Sequence, residues 1–293
     1  MTSIALDDRL LASPPPDIFF GKWQKLMTIT FSNAPLVEII VELRWGQNPQ
    51  LISPNQAIVS SINAKEVEEF FMHFGGEIYQ QGFERAERLL PPGFPALLFQ
   101  PVYRYRKSSD PDSSVLYQAG PGLFSANAIP PYRSWETFSP VVQAGVEALL
   151  KTRSASEKNL PFTSLKLRYI DAFGPTLTEG RDIGGFIKDI LGITVELPEA
   201  LSKHIMEGKP VVPTLQFAIP LANSMTMNII IADGVVNNEK AIVMDTSVVT
   251  TEDVQHDRDA IMGVLNTARV IIHEMFFDIT TRINGLMQPS GGE

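Results

Sequence analysis

Two arginines in similar surroundings are the side chains of this sequence best suited to recognition chemistry. Arg44 and Arg168 each lie between a leucine and an aromatic residue, and three acidic residues accompany them, Glu38, Glu42 and Asp171. A guanidinium on the face of a sheet must be paired with a carboxylate or must line a polar groove. These five residues are therefore the predicted binding residues, and two interpretations stay open: a structural ion-pair network, or a site for an anion or a charged partner.

Motifs for catalysis and for metal or cofactor binding are missing from the sequence. It contains no phosphate-binding or dinucleotide-binding glycine motif, no GxSxG and no HExxH. With no cysteines, it has no disulfide, thiolate metal site or cysteine nucleophile. His256, Asp257 and Asp259 offer metal-binding groups, but acidic residues at a helix start are already explained by the helix dipole. We therefore predict no catalytic residue, no metal and no cofactor.

A short segment alternates tyrosine with arginine and suggests a third kind of site. Tyr103, Arg104, Tyr105 and Arg106 form a basic and aromatic strand whose rings could stack on bases of single-stranded nucleic acid. The formal net charge of -9 counts against this alternative, because nucleic-acid binding needs a positive face.

The composition is that of a globular protein. Of the 293 residues, 44% are hydrophobic and 19% are charged, which excludes a disordered chain. The first residues lack the basic and apolar pattern of a signal peptide, and no apolar run has the length of a membrane span. We expect a cytoplasmic protein without membrane contact.

The elements that would position the arginines follow from periodicity. Residues 35–45 and 164–173 alternate apolar and polar side chains, as strands do. After each strand the pattern gives helix, three antiparallel strands and a long helix, so the predicted fold class is α+β with long helices packed on a curved antiparallel sheet. The order suggests two similar halves. The predicted boundaries are a leader at 1–34, a first half at 35–152, a connector at 153–162, a second half at 163–284 and a frayed tail at 285–293.

Several segments together resemble a family of sporadically distributed bacterial proteins for which no activity is assigned. They span most of residues 33–281 and comprise Asn33–Glu38, the Glu42–Trp45 strand end, Asn127, Tyr132, Ser134–Glu136 and Phe138, Leu167–Asp171, Asp245-Thr246, and Phe277–Thr280. Members commonly have asparagine where this chain has Asp171. The patchy occurrence of the family implies accessory or defence-associated genes, and the resemblance implies no mechanism.

Three functional hypotheses result. The first is a non-catalytic binding or regulatory protein that recognises a protein or peptide partner through a sheet face. The second is a small-ligand binder or enzyme with a pocket between a long helix and the sheet, where Glu38, Glu42, Arg44 and Arg168 would supply the polar groups. The third is the single-stranded nucleic-acid binder. A protein partner is expected in the first case, and a homo-oligomer is left open.

Overall fold

Eleven strands and seven α-helices form the part of the chain that the computed structural model describes, residues 30–46, 64–91, 94–107, 114–130 and 134–290. The strands are β1 (Thr30–Phe31), β2 (Leu36–Trp45), β3 (Arg85–Arg88), β4 (Tyr103–Arg106), β5 (Val115–Gly120), β6 (Leu123–Ala128), β7 (Phe162–Phe173), β8 (Leu215–Leu221), β9 (Met225–Val236), β10 (Glu239–Thr250) and β11 (Pro289–Ser290). The helices are α1 (Ala64–Tyr79), α2 (Trp135–Thr152), α3 (Pro175–Thr178), α4 (Ile183–Asp189), α5 (Glu199–Ser202), α6 (Arg258–Ile279) and α7 (Asn284–Met287).

Nine of these strands form one antiparallel sheet in the order β3-β4-β5-β6-β2-β7-β10-β9-β8. The predicted α+β class is thereby confirmed. The two strands that opened the predicted halves, β2 and β7, are hydrogen-bonded neighbours at the middle of the sheet. The sheet is therefore continuous, and strands from before and after the predicted connector meet at its centre.

Alternation along the central strands sorts their side chains onto two faces. On β2 the side chains of Ile39, Val41 and Leu43 are fully buried, whereas the intervening residues are partly exposed. On β7 Leu165 and Leu167 are buried in the same way. This is the period-2 pattern of a sheet with one face in the core.

The three long helices cover the apolar face of the sheet. Aromatic rings of α1 contact rings of the sheet, as where Phe74 packs edge-on against Phe124 at 5.6 Å. Helix α2 reaches β6, and α6 lies on β7 and β10. Their buried stripes recur at helical spacing: Phe70, Phe71, Phe74 and Ile78 on α1; Phe138, Val142, Val146 and Leu149 on α2; Ile261, Leu265, Ala268 and Ile272 on α6. We call the face opposite these three helices the open face.

Helix α6 is long and apolar enough to cross a membrane by length and composition alone, with a mean hydropathy of 1.3. Its buried stripe lies against β7 and β10, which is how the core helix of a globular domain packs. The acidic residues Glu252 and Asp253 predict a helix start at 251–253, but the helix begins at Arg258. Strand β10 continues to Thr250, and the Asp257 side chain caps the helix by accepting a hydrogen bond from the Ala260 amide at 2.9 Å.

Two predicted elements around β4 need correction. The sequence over 97–107 predicts a strand, but β4 begins at Tyr103: Leu98 and Phe99 form a turn, in which Phe99 adopts a left-handed φ of 64°. Strand β3 was not expected at all. Its sequence, from Arg85 to Arg88, is charged at three of four positions and has no apolar alternation.

The helical spacing of apolar residues over 54–81 predicts one helix. It is seen as α1 from Ala64 to Tyr79, and the predicted first turns at 54–63 lie outside the described residues. So does the predicted leader up to residue 29. The frayed tail expected at 285–293 is instead structured up to residue 290. Strands β1 and β11 pair, and the amides of Ser32 and Asn33 donate to the carbonyls of Gln288 and Met287.

Candidate functional site

The register of the sheet brings charged residues from three central strands together on the open face. Glu42 of β2 lies opposite Lys166 of β7, and Ser247 of β10 lies opposite Arg168. We call the resulting group of six side chains the central charge cluster. It consists of Glu38, Glu42, Arg44, Lys166, Arg168 and Asp245.

Arg168 forms the most regular ion pair of the central charge cluster. Its Nε donates to Asp245 Oδ1 at 2.7 Å and its Nη2 to Asp245 Oδ2 at 2.5 Å, which is the bidentate arrangement of a guanidinium and a carboxylate. The hydrogen bonds to Asp245 raise the pKa of Arg168, and the charges of Asp245, Glu38 and Glu42 add to this. The Arg168 side chain is still 37% exposed, so the pair remains within reach of a partner.

Glu42 is shared between two cations. Its Oε1 lies 2.8 Å from Arg44 Nε and 3.2 Å from Lys166 Nζ. The Glu42 Oε1 and Arg44 Nε atoms are buried, and within the described residues neither has a partner in hydrogen-bond geometry. Charge attraction without an aligned hydrogen bond leaves this contact easier to replace than the Arg168 pair.

Amide and hydroxyl groups of β6 extend the cluster on one side. Asn127 Nδ2 donates to Glu38 Oε1 at 2.8 Å, and Ser125 Oγ donates to Asn127 Oδ1 at 2.9 Å. Ser125 and Asn127 are only 4% and 8% exposed. Asn127 thereby fixes the orientation of Glu38, and the Ser125 hydroxyl is engaged as a donor to Asn127.

A clamped loop places an aromatic ring over Arg44. The Arg44 guanidinium lies 5.1 Å from the centre of the Phe99 ring, a cation–π contact. The Phe99 amide donates to the Pro121 carbonyl at 2.8 Å. A Cβ on Gly120 would lie 1.9 Å from the Gln100 carbonyl oxygen, so only glycine lets this loop approach the β5–β6 turn. Contacts with the Gly120-Pro121-Gly122 turn therefore hold Phe99 in its position over Arg44.

Asp171, predicted to act with Arg168, points to the other face. It follows Arg168 by three positions on β7, and alternation places it on the helix-covered side with Leu165 and Leu167, where it is 4% exposed. Burial raises the pKa of its carboxyl to about 7, and the charge of Asp245 adds to the shift. The structure thus groups Glu38, Glu42, Arg44 and Arg168, and it separates Asp171 from them.

The predicted base-stacking strand is divided between the faces as well. Tyr105 is buried beneath α1, where its hydroxyl donates to the Phe71 carbonyl at 3.1 Å. The Tyr103 ring packs against the Phe71 ring at a tilt of 46°, with 4.9 Å between the ring centres. Arg104 and Arg106 point to the open face, and Arg104 pairs there with Glu87 at 3.3 Å. The two arginines and the two tyrosine rings of this strand therefore lie on opposite faces of the sheet and do not form one base-stacking surface.

Neither of the two best-defined cavities is formed by the central charge cluster. The smaller, of about 10 Å³, has room for one water molecule beside Trp45. The larger, about 740 Å³, is a groove between α1 and the end of α2, with Glu66, Glu69 and Lys151 among its lining residues. The polar pocket expected near Glu38 and Arg44 is not among them.

The end of α2 contains a buried cation that belongs to the core. The Arg153 guanidinium lies between the rings of Phe162 and Trp45, at 4.7 and 5.1 Å, and its Nη1 donates to the Leu160 carbonyl. Burial lowers the pKa of Arg153 to about 10. Trp45 Nε1 in turn donates to Glu157 at 2.8 Å, so this group joins the predicted connector to the central strands.

The histidine and aspartates considered for metal binding are used otherwise or stand apart. Asp257 caps α6, and Asp259 accepts from Arg258 Nε at 2.8 Å. In the described ranges no three histidine or acidic side chains lie close enough together to hold a metal ion.

Comparison with known proteins gives no match: no family model, no curated protein sequence and no solved structure is significantly similar to this chain. The site must therefore be judged on its own geometry.

Sequence reasoning did not identify four residues that complete the site: Lys166, Asp245, Asn127 and Phe99. Lys166 could have been found, because it precedes Arg168 by two positions and so shares its face of the strand. The other three contact the cluster only because of the strand order and the clamped loop, and neither is visible in local sequence.

Proposed function

We propose that this protein is a non-catalytic binding protein that recognises a protein partner through the central charge cluster on the open face. One observation supports this most strongly. Arg168 and Asp245 form a bidentate pair at the middle of the sheet, on the face opposite the three long helices, and they remain 37% and 20% exposed. Such a pair is ordered before binding, so a partner loses little entropy in engaging it.

The alternating signs of the cluster fit a partner with charges of its own. Along β2 and β7 the order of acidic and basic side chains defines one register for complementary residues. Electrostatic complementarity of this kind provides specificity and orientation more than affinity. The weakly aligned Glu42–Arg44 contact is the one that a partner's carboxylate or guanidinium would replace most easily.

We also propose that the sheet consists of two equivalent halves. The strand order supports this, since β4-β5-β6-β2 and β8-β9-β10-β7 mirror each other about the middle of the sheet. Superposing Arg44 on Arg168 places the two-fold axis at the Glu42–Lys166 pair, because these residues are opposite each other in register. The halves differ in their ion pairs: Arg44 pairs with Glu42 of its own strand, whereas Arg168 pairs with Asp245 of the neighbouring strand β10.

The decisive test exchanges the charges of Arg168 and Asp245, so that an ion pair remains but its positive and negative ends change places. The double variant Arg168→Asp with Asp245→Arg retains one acid and one base at 2.5–2.7 Å spacing, so the fold should persist. Wild-type and variant proteins are used to capture partners from the native host, with cross-linking and mass spectrometry. We expect a stoichiometric protein partner with the wild type and none with the swap.

The matched control is the same swap on the helix-covered side, Arg258→Glu with Glu147→Arg, at an exposed pair of 3.2 Å. This control should capture the partner as the wild type does. Equal capture by both swaps would place recognition elsewhere. A co-purified small molecule lost only with the open-face swap would support a ligand-binding function instead. We place this activity in the cytoplasm, as the cysteine-free sequence suggests.

A further inference from the structure

Residues 194–213, which connect α4 to β8, form an arm that is bonded mainly to itself. Within the described residues its backbone hydrogen bonds join arm residues to one another, such as Leu201 to Pro198 at 2.9 Å and Lys209 to Met206 at 3.1 Å. Its only helix is the four-residue α5, which buries no side chain. The arm is thus held by hydrogen bonds between its own residues, and its one helix buries no side chain.

Large apolar side chains along this arm are exposed. Seven of them are at least 38% accessible: Val195, Leu197, Leu201, Ile205, Met206, Val211 and Val212. Together they offer on the order of 600 Å² of apolar surface, which reaches the upper end of the largest patch on a typical monomer. An interface of standard size takes about 800 Å² from each partner, so the arm supplies most of one.

The strand that follows the arm is a sheet edge without charged side chains. The two edges of the nine-stranded sheet are β3 and β8. Strand β3 is short and carries Arg85, Glu87 and Arg88, which is how proteins prevent edge-to-edge pairing. Strand β8 carries no charge, and Ile219 is 41% exposed; Pro220 limits pairing near its end and leaves Leu215–Ile219 as the free edge. The contrast indicates that the β8 edge is covered in the working protein.

We propose that a second copy of this chain covers the arm and the β8 edge, giving a two-fold symmetric dimer. Antiparallel edges pair with copies of themselves about a two-fold axis, so β8 against β8 would extend the sheet across the dimer. Area fits a copy at this place: about 600 Å² from each of two arms, with the two β8 edges added, approaches the roughly 1,600 Å² that a specific interface buries in total.

The primary test is the mass of the full-length protein in solution, by light scattering after size exclusion and by sedimentation at several concentrations. The expected mass is twice the 32.4 kDa of one chain. The variant Met206→Lys should reduce it to the mass of one chain. Met206 is 69% exposed, so a lysine there should leave the fold and the melting temperature unchanged.

Met72→Lys is the matched control, because Met72 is 66% exposed on α1, far along the chain from the arm. It should remain a dimer. The geometry has its own test, since the chain has no cysteine: Ala218→Cys on β8 should be joined by a short bismaleimide, whereas Ala86→Cys on β3 should not.

Three results would overturn the proposal. The first is a wild-type protein that keeps the mass of one chain up to about 100 μM, well above the dissociation constants of specific dimers. The second is a dimer that persists with Met206→Lys. The third is cross-linking of Ala86→Cys in preference to Ala218→Cys. A monomer whose arm binds a different protein also contradicts it. None of these outcomes depends on the central charge cluster, which lies on β2, β7 and β10 at the middle of the sheet.

Discussion

At the scale of single residues, the structure distinguishes charges that are paired from a charge that is buried. Arg168 has Asp245 within hydrogen-bond distance, whereas Asp171 is enclosed by the helix layer and has no ion pair with the described residues. The first arrangement stabilises the ionised form of its group, and the second stabilises the neutral form. The two therefore predict different responses to mutation and to pH.

Asp171 should make the folded protein less stable as the pH rises. The pKa of its carboxyl is about 7 in the folded state and near 4 in the unfolded chain, so the folded state binds the extra proton between these values. The free energy of unfolding should fall across this window. Asp171→Asn removes the penalty, and urea unfolding at pH 8 should show a gain of at most about 4 kcal/mol. Equal pH slopes for the wild type and the variant would refute this assignment.

The Arg168–Asp245 pair should show a measurable coupling. A double-mutant cycle with Arg168→Ala and Asp245→Ala isolates the interaction energy from the cost of each truncation. Because the pair is bidentate but partly solvated, we expect a coupling of about 1 kcal/mol. The same cycle on the exposed Arg258–Glu147 pair should give less, and a larger value there would contradict the geometric argument.

Four of the five predicted binding residues share the open face because strand periodicity determines the face of each residue. Asp171 was misplaced for the same reason: it is an odd number of positions from Arg168, and spacing alone would have shown this. Asp245 was beyond local reasoning. Its distance of 77 positions from Arg168 is bridged only by the β7–β10 pairing.

At the scale of elements, the loop over 94–102 is held by close contacts to the β5–β6 turn. The Val102 amide donates to the Ala119 carbonyl at 2.8 Å, and the missing side chain of Gly120 leaves room for Gln100. The loop carries Phe99 in a left-handed conformation that costs on the order of 1 kcal/mol, so these contacts must offset that strain.

Gly120→Ala should therefore detach the loop. The added Cβ would lie 1.9 Å from the Gln100 carbonyl oxygen, and we expect a loss of about 2–3 kcal/mol in urea unfolding. Gly76→Ala is the control. It stands exposed in α1 with no atom within 4 Å of its Cβ, and better helix propensity should stabilise the protein by about 0.5–1 kcal/mol. A neutral effect of Gly120→Ala would mean that the loop is not clamped.

Elements with a strong period were predicted well, and elements defined by contact were not. β2, β6, β7, α2 and α6 have alternation or helical stripes that burial enforces. β3 has neither, because an edge strand is stabilised by one neighbour and keeps charged side chains. The loop at 97–102 has a strand-like composition, but it turns at the left-handed Phe99 and lies against the glycine turn, a contact that local sequence does not reveal.

At the scale of the whole molecule, one sheet spans both sides of the predicted connector. β2 and β7 pair along most of their length, from Leu36 opposite Asp171 to Trp45 opposite Phe162. The buried Arg153 and Glu157 attach the connector to the same region. Removing either side would leave one central strand with an unpaired hydrogen-bonding edge.

The protein should accordingly unfold in a single transition. We expect calorimetry to give a van't Hoff enthalpy equal to the calorimetric enthalpy, as for a cooperative domain. Fragments 1–152 and 163–293 should be unfolded or insoluble when expressed separately, since each lacks the neighbour of its central strand. Two separate transitions, or a soluble folded fragment, would show that the halves are independent.

The pairing of β1 with β11 has a mechanical consequence. Thr30 lies opposite Ser290 and Phe31 opposite Pro289, so a force pulling these segments apart meets the antiparallel ladder from its open end. Its hydrogen bonds, continued by Ser32 and Asn33, would break one after another and not all at once. The first element to yield under tension should thus be this clasp, at low force, before any load reaches the nine-stranded sheet.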